Sequence, residues 1–314
     1  MAYQNVAYQN ARLLRAQLRR GAGVFRPVGP VPRDIAVAPE LPPGDVITLP
    51  GRGPVFVRRA DGPAGEVPLL LLHGVTWSAD INFHGVLAPL AKTRPVIAMD
   101  QRGHGRGLPI AGPVEIEDLA DDAVAVLDAL GIERAIFGGF SLGCLVSLQA
   151  ALRHRDRVAG LVLGAGSLYY RDLVRDRLFL AAVRPATVFA RRGLGATIAA
   201  RYFGMNRARR NEEFRRIWPW LRAELARTPA SSVLAVLGAV ARYDLRHRVE
   251  SLRELPSAVV LTTGDTICHP RMQQDLAERL GARIVRVDGD HDLPFADPDA
   301  YREAMLTALT LVTR

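Results

Sequence analysis

The chain has 314 residues, 49% of them hydrophobic, which is enough for one large α/β domain or two small domains around a sizeable core. Its 2 cysteines argue against a disulfide framework and favour a reducing compartment. The sequence has a formal net charge of +9, but it has no nucleic-acid-binding module, no membrane-spanning apolar run and no signal-peptide pattern. We therefore predict a cytoplasmic protein without a nucleic-acid partner.

The first 44 residues differ in composition from the rest. Residues 2–20 predict a basic amphipathic helix, with Leu14 and Leu18 on one face and Arg15 on the other. Such a helix would pack on the main domain, or alternatively the segment 1–20 would contact a membrane surface or a partner. Residues 21–44 are rich in proline and glycine and predict a linker or an extended arm.

Short apolar runs alternate with helical patterns through most of the remaining chain. Asp45–Leu49 and Pro54–Arg59 flank a glycine-rich turn and predict a hairpin. Further strands are predicted at 68–72, 95–99, 135–137, 158–163, 257–262 and 283–287, and helices at 86–91, 116–130, 142–152, 271–280 and 298–312. This alternation predicts an α/β fold with a mostly parallel sheet and helices on both faces.

The alternation is interrupted between residues 167 and 242. This segment has helical patterns with arginine-rich faces and no clear strand, and it is too long for a connecting loop. We therefore predict a helical insertion at 167–242 within a core made of residues 45–166 and 243–314.

The pentapeptide Gly139-Phe140-Ser141-Leu142-Gly143 lies between a predicted strand and a predicted helix. A serine at the tip of such a turn takes a strained conformation, and neighbours with a Cβ atom would collide with it. The start of the following helix directs free N–H groups at whatever binds the serine. The pattern predicts that Ser141 is a nucleophile and that the turn supplies half of an oxyanion hole.

Five motifs occur in the order and spacing of the α/β-hydrolase superfamily: Leu69-Leu-Leu-Leu-His-Gly74, Asp100-x-Arg-Gly-x-Gly105, Gly139-x-Ser-x-Gly143, Gly264-Asp265 with Pro270, and Gly289-Asp-His291. Over residues 45–312 the chain resembles the lidded, serine esterase- or lipase-like members of that superfamily. The resemblance implies an eight-stranded-type sheet with a helical cap inserted after the sixth strand, at 167–242.

The nucleophile needs a base, itself oriented by an acid. His291 follows the last predicted strand, at the sheet edge where ligands gather, and the family places its base there. The other histidines near motifs, His73 and His104, stand beside glycines in turns and are expected to be structural. Those in polar helical surroundings are expected to be solvated: His84, His154 and His247.

Asp265 is the predicted acid, because it leaves a strand at the same edge as His291 and completes the chain order Ser, Asp, His of this fold. Some members of the family have the acid after the sixth strand instead. Here the segment 163–170 at that place has no carboxylate, which supports Asp265.

An oxyanion hole needs two donors. The backbone N–H of Leu142 is one, and the second is expected after His73-Gly74, from Val75 or alternatively from Thr76. Cys144 lies one turn into the helix and is expected to be a small buried residue rather than a nucleophile. No metal-ligand cluster, dinucleotide fingerprint or P-loop occurs, so no cofactor or metal is predicted.

These residues predict a serine hydrolase that cleaves carboxylic esters through an acyl-enzyme. Apolar residues of the insertion suit a small-molecule or lipid-like substrate with a medium or long acyl chain: Leu178, Phe179, Val188, Phe189, Trp218 and Trp220. The same triad would also serve a carbon–carbon bond hydrolase, thioesterase, amidase, acyltransferase or perhydrolase. A non-catalytic ligand receptor and a membrane-docked interaction protein remain as alternatives of another class.

Overall fold

A computed structural model describes residues 38–170 and 212–313. The helix predicted at 2–20, most of the arm at 21–44 and residues 171–211 of the predicted insertion lie outside the described residues. The division of the chain into arm, core and cap therefore stays a prediction. The described ranges comprise the sheet, the helices around it and two helices between residues 212 and 242.

The described strands form one eight-stranded sheet. The strands are β1 Gly44–Leu49, β2 Gly53–Ala60, β3 Leu69–Leu72, β4 Val96–Met99, β5 Ala135–Phe140, β6 Val158–Gly164, β7 Ser257–Thr262 and β8 Arg283–Val287. Their order in the sheet is β1-β2-β4-β3-β5-β6-β7-β8; the hairpin strands β1 and β2 are antiparallel, β2 pairs antiparallel with β4, and the other pairs are parallel. The predicted fold class, a mostly parallel sheet entered through a hairpin, is confirmed.

Helices connect the strands and cover both faces of the sheet. They are α1 Ala79–Phe83, α2 Leu87–Ala91, α3 Ile116–Ala129, α4 Leu142–Arg153, α5 Glu212–Leu225, α6 Ala230–Arg242, α7 Pro270–Leu280, α8 Leu293–Ala296 and α9 Pro298–Thr313, with short 3-10 turns at Arg155–Arg157 and Val249–Leu252. The short helices α1 and α8 were not predicted. Within the described ranges, no helix has the length and apolar character that crossing a bilayer requires.

The two faces of the sheet bury separate clusters of side chains. In β3, Leu70 and Leu72 belong to the cluster that packs α3, α4 and α7, whereas Leu69 and Leu71 belong to the cluster that packs α1, α2 and α9. Successive strand residues point to opposite faces, so a strand that is covered on both sides must be apolar throughout. This explains why the all-leucine run of β3 is wholly buried.

The parallel strands bring the predicted site residues to one edge. Ser141 directly follows β5, while Asp265 and His291 follow β7 and β8 within a few residues. His73 and Asp100 directly follow β3 and β4 at the same edge. Helices α5 and α6 lie in the chain between β6 and β7, so the described part of the predicted insertion is helical.

Candidate active site

Ser141 occupies a sharp turn between β5 and α4. Its backbone has a positive φ of 54° and a ψ of −112°, which is a strained conformation for a residue with a side chain. A Cβ atom at Gly139 would overlap the carbonyl of Gly143, and one at Gly143 would overlap the carbonyl oxygen of Leu72. Glycine is therefore required on both sides of the serine, as the sequence pattern predicts.

Ser141 and Asp265 hydrogen-bond to opposite sides of the His291 ring. The Ser141 Oγ lies 3.0 Å from His291 Nε2, and Asp265 Oδ2 lies 3.0 Å from His291 Nδ1. Because a carboxylate can only accept, Nδ1 bears the proton, which leaves Nε2 free to accept from the serine hydroxyl. The three residues predicted from separate motifs are thus brought into one hydrogen-bonded chain.

The groups around His291 favour protonation of its imidazole ring. Burial disfavours the imidazolium, but the adjacent Asp265 carboxylate and the Cys268 side chain together outweigh this and raise the pKa of His291 well above its ordinary value. The cysteines behave differently, since burial raises the pKa of both the Cys144 and the Cys268 thiols. Cys144 is fully buried and its thiol faces the carbonyls of Gly139 and Gly164, which agrees with its predicted role as a small buried residue.

Asp265 accepts more hydrogen bonds than the sequence indicated. Its Oδ1 accepts the backbone N–H groups of Ile267 and Cys268, each at 2.8 Å. Its Oδ2 accepts from the Thr262 hydroxyl at 2.9 Å and from the Gln273 amide at 3.3 Å, besides His291. The buried carboxylate is therefore fixed in position and its charge is compensated by donors on both oxygens.

Asp290 joins the two loops that supply the acid and the base. Its Oδ1 accepts the backbone N–H of His291 at 2.8 Å and both the backbone N–H and the hydroxyl of Thr266, at 2.9 and 3.0 Å. The backbone N–H of Gly264 also donates to the carbonyl of Gly289, at 2.9 Å. Sequence reasoning missed this function of Asp290, because a carboxylate next to a histidine gives no sign that it bonds a different loop.

The loop after β3 packs directly on the serine. A Cβ atom built on Gly74 would lie 3.4 Å from the Cβ of Ser141, so the predicted oxyanion loop passes over the nucleophile candidate. The Gly74 N–H donates to Asn82 Oδ1 at 2.9 Å, which leaves the next amides, those of Val75 and Thr76, as the donors to consider. Thr76 has a positive φ of 73°, a strained conformation for a β-branched residue.

His73 and Gln101 hold the base of this loop. His73 Nδ1 donates to the Gly74 carbonyl, and its Nε2 accepts the backbone N–H of Gln101 at 2.9 Å. The Gln101 side-chain amide donates in turn to the His73 carbonyl, at 2.6 Å. Both His73 and the neighbouring His104 are buried, which supports the prediction that they are structural.

Arg106 links this side of the site to helix α5. Its guanidinium lies 3.4 Å from the centre of the Phe56 ring and binds Asp80 Oδ2 at 2.9 Å and Asp100 Oδ2 at 3.0 Å. It also faces the Glu224 carboxylate of α5 at 3.7 Å. Asp100 additionally accepts the backbone N–H of Ala79, so it holds a loop.

An aromatic cluster lies behind the imidazole. Trp77 is 3% exposed and stacks on Phe140 at 5.3 Å, and Phe140 lies 5.3 Å from the His291 ring. Phe295 meets the edge of Trp77 at 4.7 Å. Trp77 therefore packs against the site, and it supports the position of the base.

The expectation that His84 is solvated was wrong. Its ring is half-buried, lying 6.2 Å from the Phe295 ring and 5.8 Å from the ring of Trp220 on helix α5. The helical pattern around His84 gave no sign of this contact, because Trp220 is 136 positions further along the sequence. His247 is exposed as expected, whereas His154 is half-buried like His84 and lies 2.7 Å from Asp121, so the expectation was wrong for His154 too.

No group of three or more potential metal ligands was found among residues 38–170 and 212–313. The arrangement can move a proton from the serine hydroxyl to the imidazole, and the amides at the start of α4 lie next to that hydroxyl. This is the arrangement of groups that activation of a serine nucleophile requires.

Comparisons with known proteins identify the family of the fold. The family model for the alpha/beta hydrolase fold matches residues 67–298. A pimeloyl-[acyl-carrier protein] methyl ester esterase of Neisseria meningitidis serogroup C is 31% identical over 257 residues, which cover 76% of this chain and 91% of that protein.

Two solved structures are similar at 25% sequence identity. A hydrolase from Pseudomonas aeruginosa PA01 has a TM-score of 0.73 and covers 84% of this chain and 98% of its own. An enol-lactonase from Burkholderia xenovorans LB400 has a TM-score of 0.70, with 82% of this chain and 97% of its own covered. Both similarities extend over almost the full length of the two solved chains and over more than four fifths of this chain.

Proposed function

Because the chain belongs to the α/β-hydrolase fold family and is a hydrolase, we propose that it cleaves carboxylic esters through an acyl-enzyme on Ser141. The observation that carries the proposal is the hydrogen-bonded chain from Ser141 through His291 to Asp265. The methyl ester esterase and the enol-lactonase support an ester as the substrate, since each is named for cleavage of a carbon–oxygen ester bond.

In the first half-reaction the Ser141 Oγ attacks the ester carbonyl carbon while His291 Nε2 accepts the hydroxyl proton. Asp265 keeps the Nδ1–H tautomer in place and stabilises the imidazolium that forms. The proton then passes from His291 to the leaving alkoxide, and the alcohol departs. A water molecule that is deprotonated by His291 releases the acid and restores the serine.

The negative charge on the tetrahedral oxygen needs donors that are already in position. We assign this role to the backbone N–H groups of Leu142, at the start of α4, and of Val75, with Thr76 as the alternative second donor. The close approach of Gly74 to Ser141 supports the assignment, because it brings the following amides next to the nucleophile.

The preferred acyl group is a finer part of the proposal. Trp218 and Trp220 of helix α5 are half-buried and pack against the cluster that contains Trp77, Phe140 and Phe295. Helix α5 thus contributes apolar surface next to the site, which suits a medium or long acyl chain. The four other apolar residues predicted for this pocket lie outside the described residues.

Two measurements test the proposal. A fluorophosphonate probe should label the wild-type protein and fail to label Ser141→Ala, and labelling that persists in the variant would refute the assigned nucleophile. A series of p-nitrophenyl esters should give kcat/KM values that rise with acyl length and fall for Trp220→Ala. An exposed residue of the same helix provides the control, Arg222→Ala, which should keep the wild-type length preference.

The predicted contact of residues 1–20 with a membrane surface is tested separately. Co-sedimentation with anionic liposomes should weaken when residues 1–40 are deleted. Equal binding with and without them would reject that contact and leave the ester hydrolase proposal unaffected.

A further inference from the structure

We propose that Gln273 is a positioning residue which, together with Thr262, orients the Asp265 carboxylate and moderates the charge that His291 experiences. The inference rests on the proposed function, in which Asp265 supports the base. Gln273 lies in the first half of helix α7 and is fully buried, although its side chain is a polar amide. It belongs to none of the motifs in the sequence.

The backbone fixes the orientation of this amide. Its Oε1 accepts the backbone N–H of Thr262 at 3.1 Å, and its Nε2 donates to the carbonyl of Cys268 at 2.7 Å. A backbone N–H can only donate and a carbonyl can only accept, so the reversed amide would break both bonds. One N–H of Nε2 is thereby left to face Thr262 Oγ1 at 2.9 Å and Asp265 Oδ2 at 3.3 Å.

This orientation determines where the Thr262 hydroxyl proton goes. Because Thr262 Oγ1 accepts from Gln273, its own proton is available for Asp265 Oδ2, 2.9 Å away. Two neutral donors, Thr262 and Gln273, therefore share one carboxylate oxygen with His291 Nδ1. Gln273 therefore contacts, directly and through Thr262, the same carboxylate oxygen that binds the imidazole.

Removing the Thr262 or Gln273 donor should affect His291, the proposed base, as well as Asp265, the proposed acid. A carboxylate with fewer hydrogen bonds keeps more of its negative charge available to the imidazolium, which favours the protonated form of His291. The imidazole would then stay protonated to higher pH, and it would be held less firmly in the direction of Ser141. Both effects lower the fraction of enzyme that is ready to accept the serine proton.

None of the groups that could also affect the titration of His291 is itself substituted in the test, although Gln273→Met also removes the hydrogen bond to the Cys268 carbonyl. Asp265 faces Nδ1, the Cys268 thiol interacts with the imidazole, and Asp290 binds the His291 backbone N–H. Asp292 is the next residue in the chain. A shift in the titration of His291 that Gln273→Met and Thr262→Val share would therefore report on the Gln273–Thr262 pair, because Thr262→Val leaves the bond to the Cys268 carbonyl in place.

The chain offers a matched control at the next position of the same helix. Gln274 has the same side chain, but it donates to Glu278 at 2.8 Å and accepts from Arg286 at 2.9 Å, at the surface. Gln273→Met should lower kcat/KM and move the acidic limb of its pH profile upward by about one unit, a tenfold change in proton affinity. Gln274→Met should leave both unchanged.

Thr262 gives a second, independent pair of variants. Thr262→Val removes the hydroxyl at nearly constant volume and should shift the acidic limb in the same direction as Gln273→Met. Thr262→Ser keeps the hydroxyl and should restore the wild-type limb. If Gln273→Met does not fold, as judged by circular dichroism, the Thr262 pair decides the question.

Two outcomes would overturn the inference. In the first, Gln273→Met and Thr262→Val lose thermal stability while their acidic limbs coincide with that of the wild type, which makes Gln273 a purely structural residue. In the second, Thr262→Ser shifts the acidic limb as far as Thr262→Val does. Because serine keeps the hydroxyl, the shift would then not be caused by its loss.

An activity-independent readout separates this inference from the proposed function. The downfield proton resonance of His291 Nδ1–H, identified by its loss in His291→Gln, should titrate at higher pH in Gln273→Met than in the wild type. Ester hydrolysis that is unaffected by Ser141→Ala would refute the proposed function, yet this titration would still test the role of Gln273.

Discussion

The buried pair His73 and His104 and the buried His291 lie at the same sheet edge, but their pKa values are shifted in opposite directions. Burial lowers the pKa of His73 to about 4, and burial together with the neighbouring His73 lowers the pKa of His104 to about 3. His291 is buried as well, yet Asp265 raises the pKa of His291. The rings of His73 and His104 lie 5.2 Å apart, and both rings hydrogen-bond to backbone groups.

The difference shows that an adjacent carboxylate, rather than burial or position in the sheet, raises the proton affinity of a buried histidine. Asp100 ends the strand next to β3, close to His73 and His104, but its oxygens bind Ala79 N–H and Arg106. Asp265 also accepts backbone N–H groups, but on Oδ1, and its other oxygen, Oδ2, binds His291. Similar residues at one edge therefore form a scaffold on one side and a candidate catalytic site on the other.

The largest expected effect is at the base itself. His291→Gln should lower kcat/KM for a p-nitrophenyl ester by about 10⁴-fold or more, since it removes the ring nitrogen that is placed to accept the Ser141 proton. His104→Asn should retain most of the activity. If His104→Asn lost as much activity as His291→Gln, the contrast between a structural and a catalytic histidine would be wrong.

Substitution of the two aspartates should give a somewhat smaller difference in activity than substitution of the two histidines. Asp265→Asn should lower kcat by about 10³- to 10⁴-fold, because an amide at this place favours the wrong imidazole tautomer. Asp100→Asn should instead lower the free energy of unfolding by about 1–3 kcal/mol, since it loses an acceptor for Arg106 or Ala79. Urea unfolding and steady-state kinetics on both variants check the pair, and equal kinetic losses would contradict it.

The smallest effect concerns stability as a function of pH. The folded state binds a proton at His73 and His104 more weakly than the unfolded chain, so their contribution to stability is complete above about pH 6.5 and is lost as the pH falls. His291 has the opposite sign, because its pKa is raised, and its contribution is lost as the pH rises through that value.

His104→Asn should therefore flatten the loss of stability between about pH 6.5 and 4 by a few kcal/mol at most. Thermal unfolding of the wild type and the variant across this range measures the difference. Parallel curves for the two proteins would show that His104 does not titrate as its burial implies.

The central strands of the sheet were predictable because they are short, largely apolar runs. Leu69–Leu72 and Ser257–Thr262 are buried on both faces, so their composition alone identified them. Ser141, Asp265 and His291 were predictable because each stands in a motif next to a strand end. Their assembly into one hydrogen-bonded chain agrees with that prediction, and their catalytic roles stay a proposal.

The supporting groups could not be predicted in the same way. Gln273, Asn82 and Arg106 act through hydrogen bonds and ion pairs between separate elements, and such contacts leave no periodic pattern in the sequence. The environment of His84 was missed for the same reason. The N-terminal helix, the arm and the oxyanion donor assignments stay predictions.

The hydrogen bond between Ser141 and His291 joins residues that are 150 positions apart in the chain, whereas Asp265 and His291 are separated by only 26. The acid–base pair can therefore form within a local strand–helix–strand unit, β7-α7-β8. The nucleophile joins it only when that unit has docked beside β6, which requires closure of a long loop. During folding, a chain with most of its secondary structure would consequently still lack an activated serine.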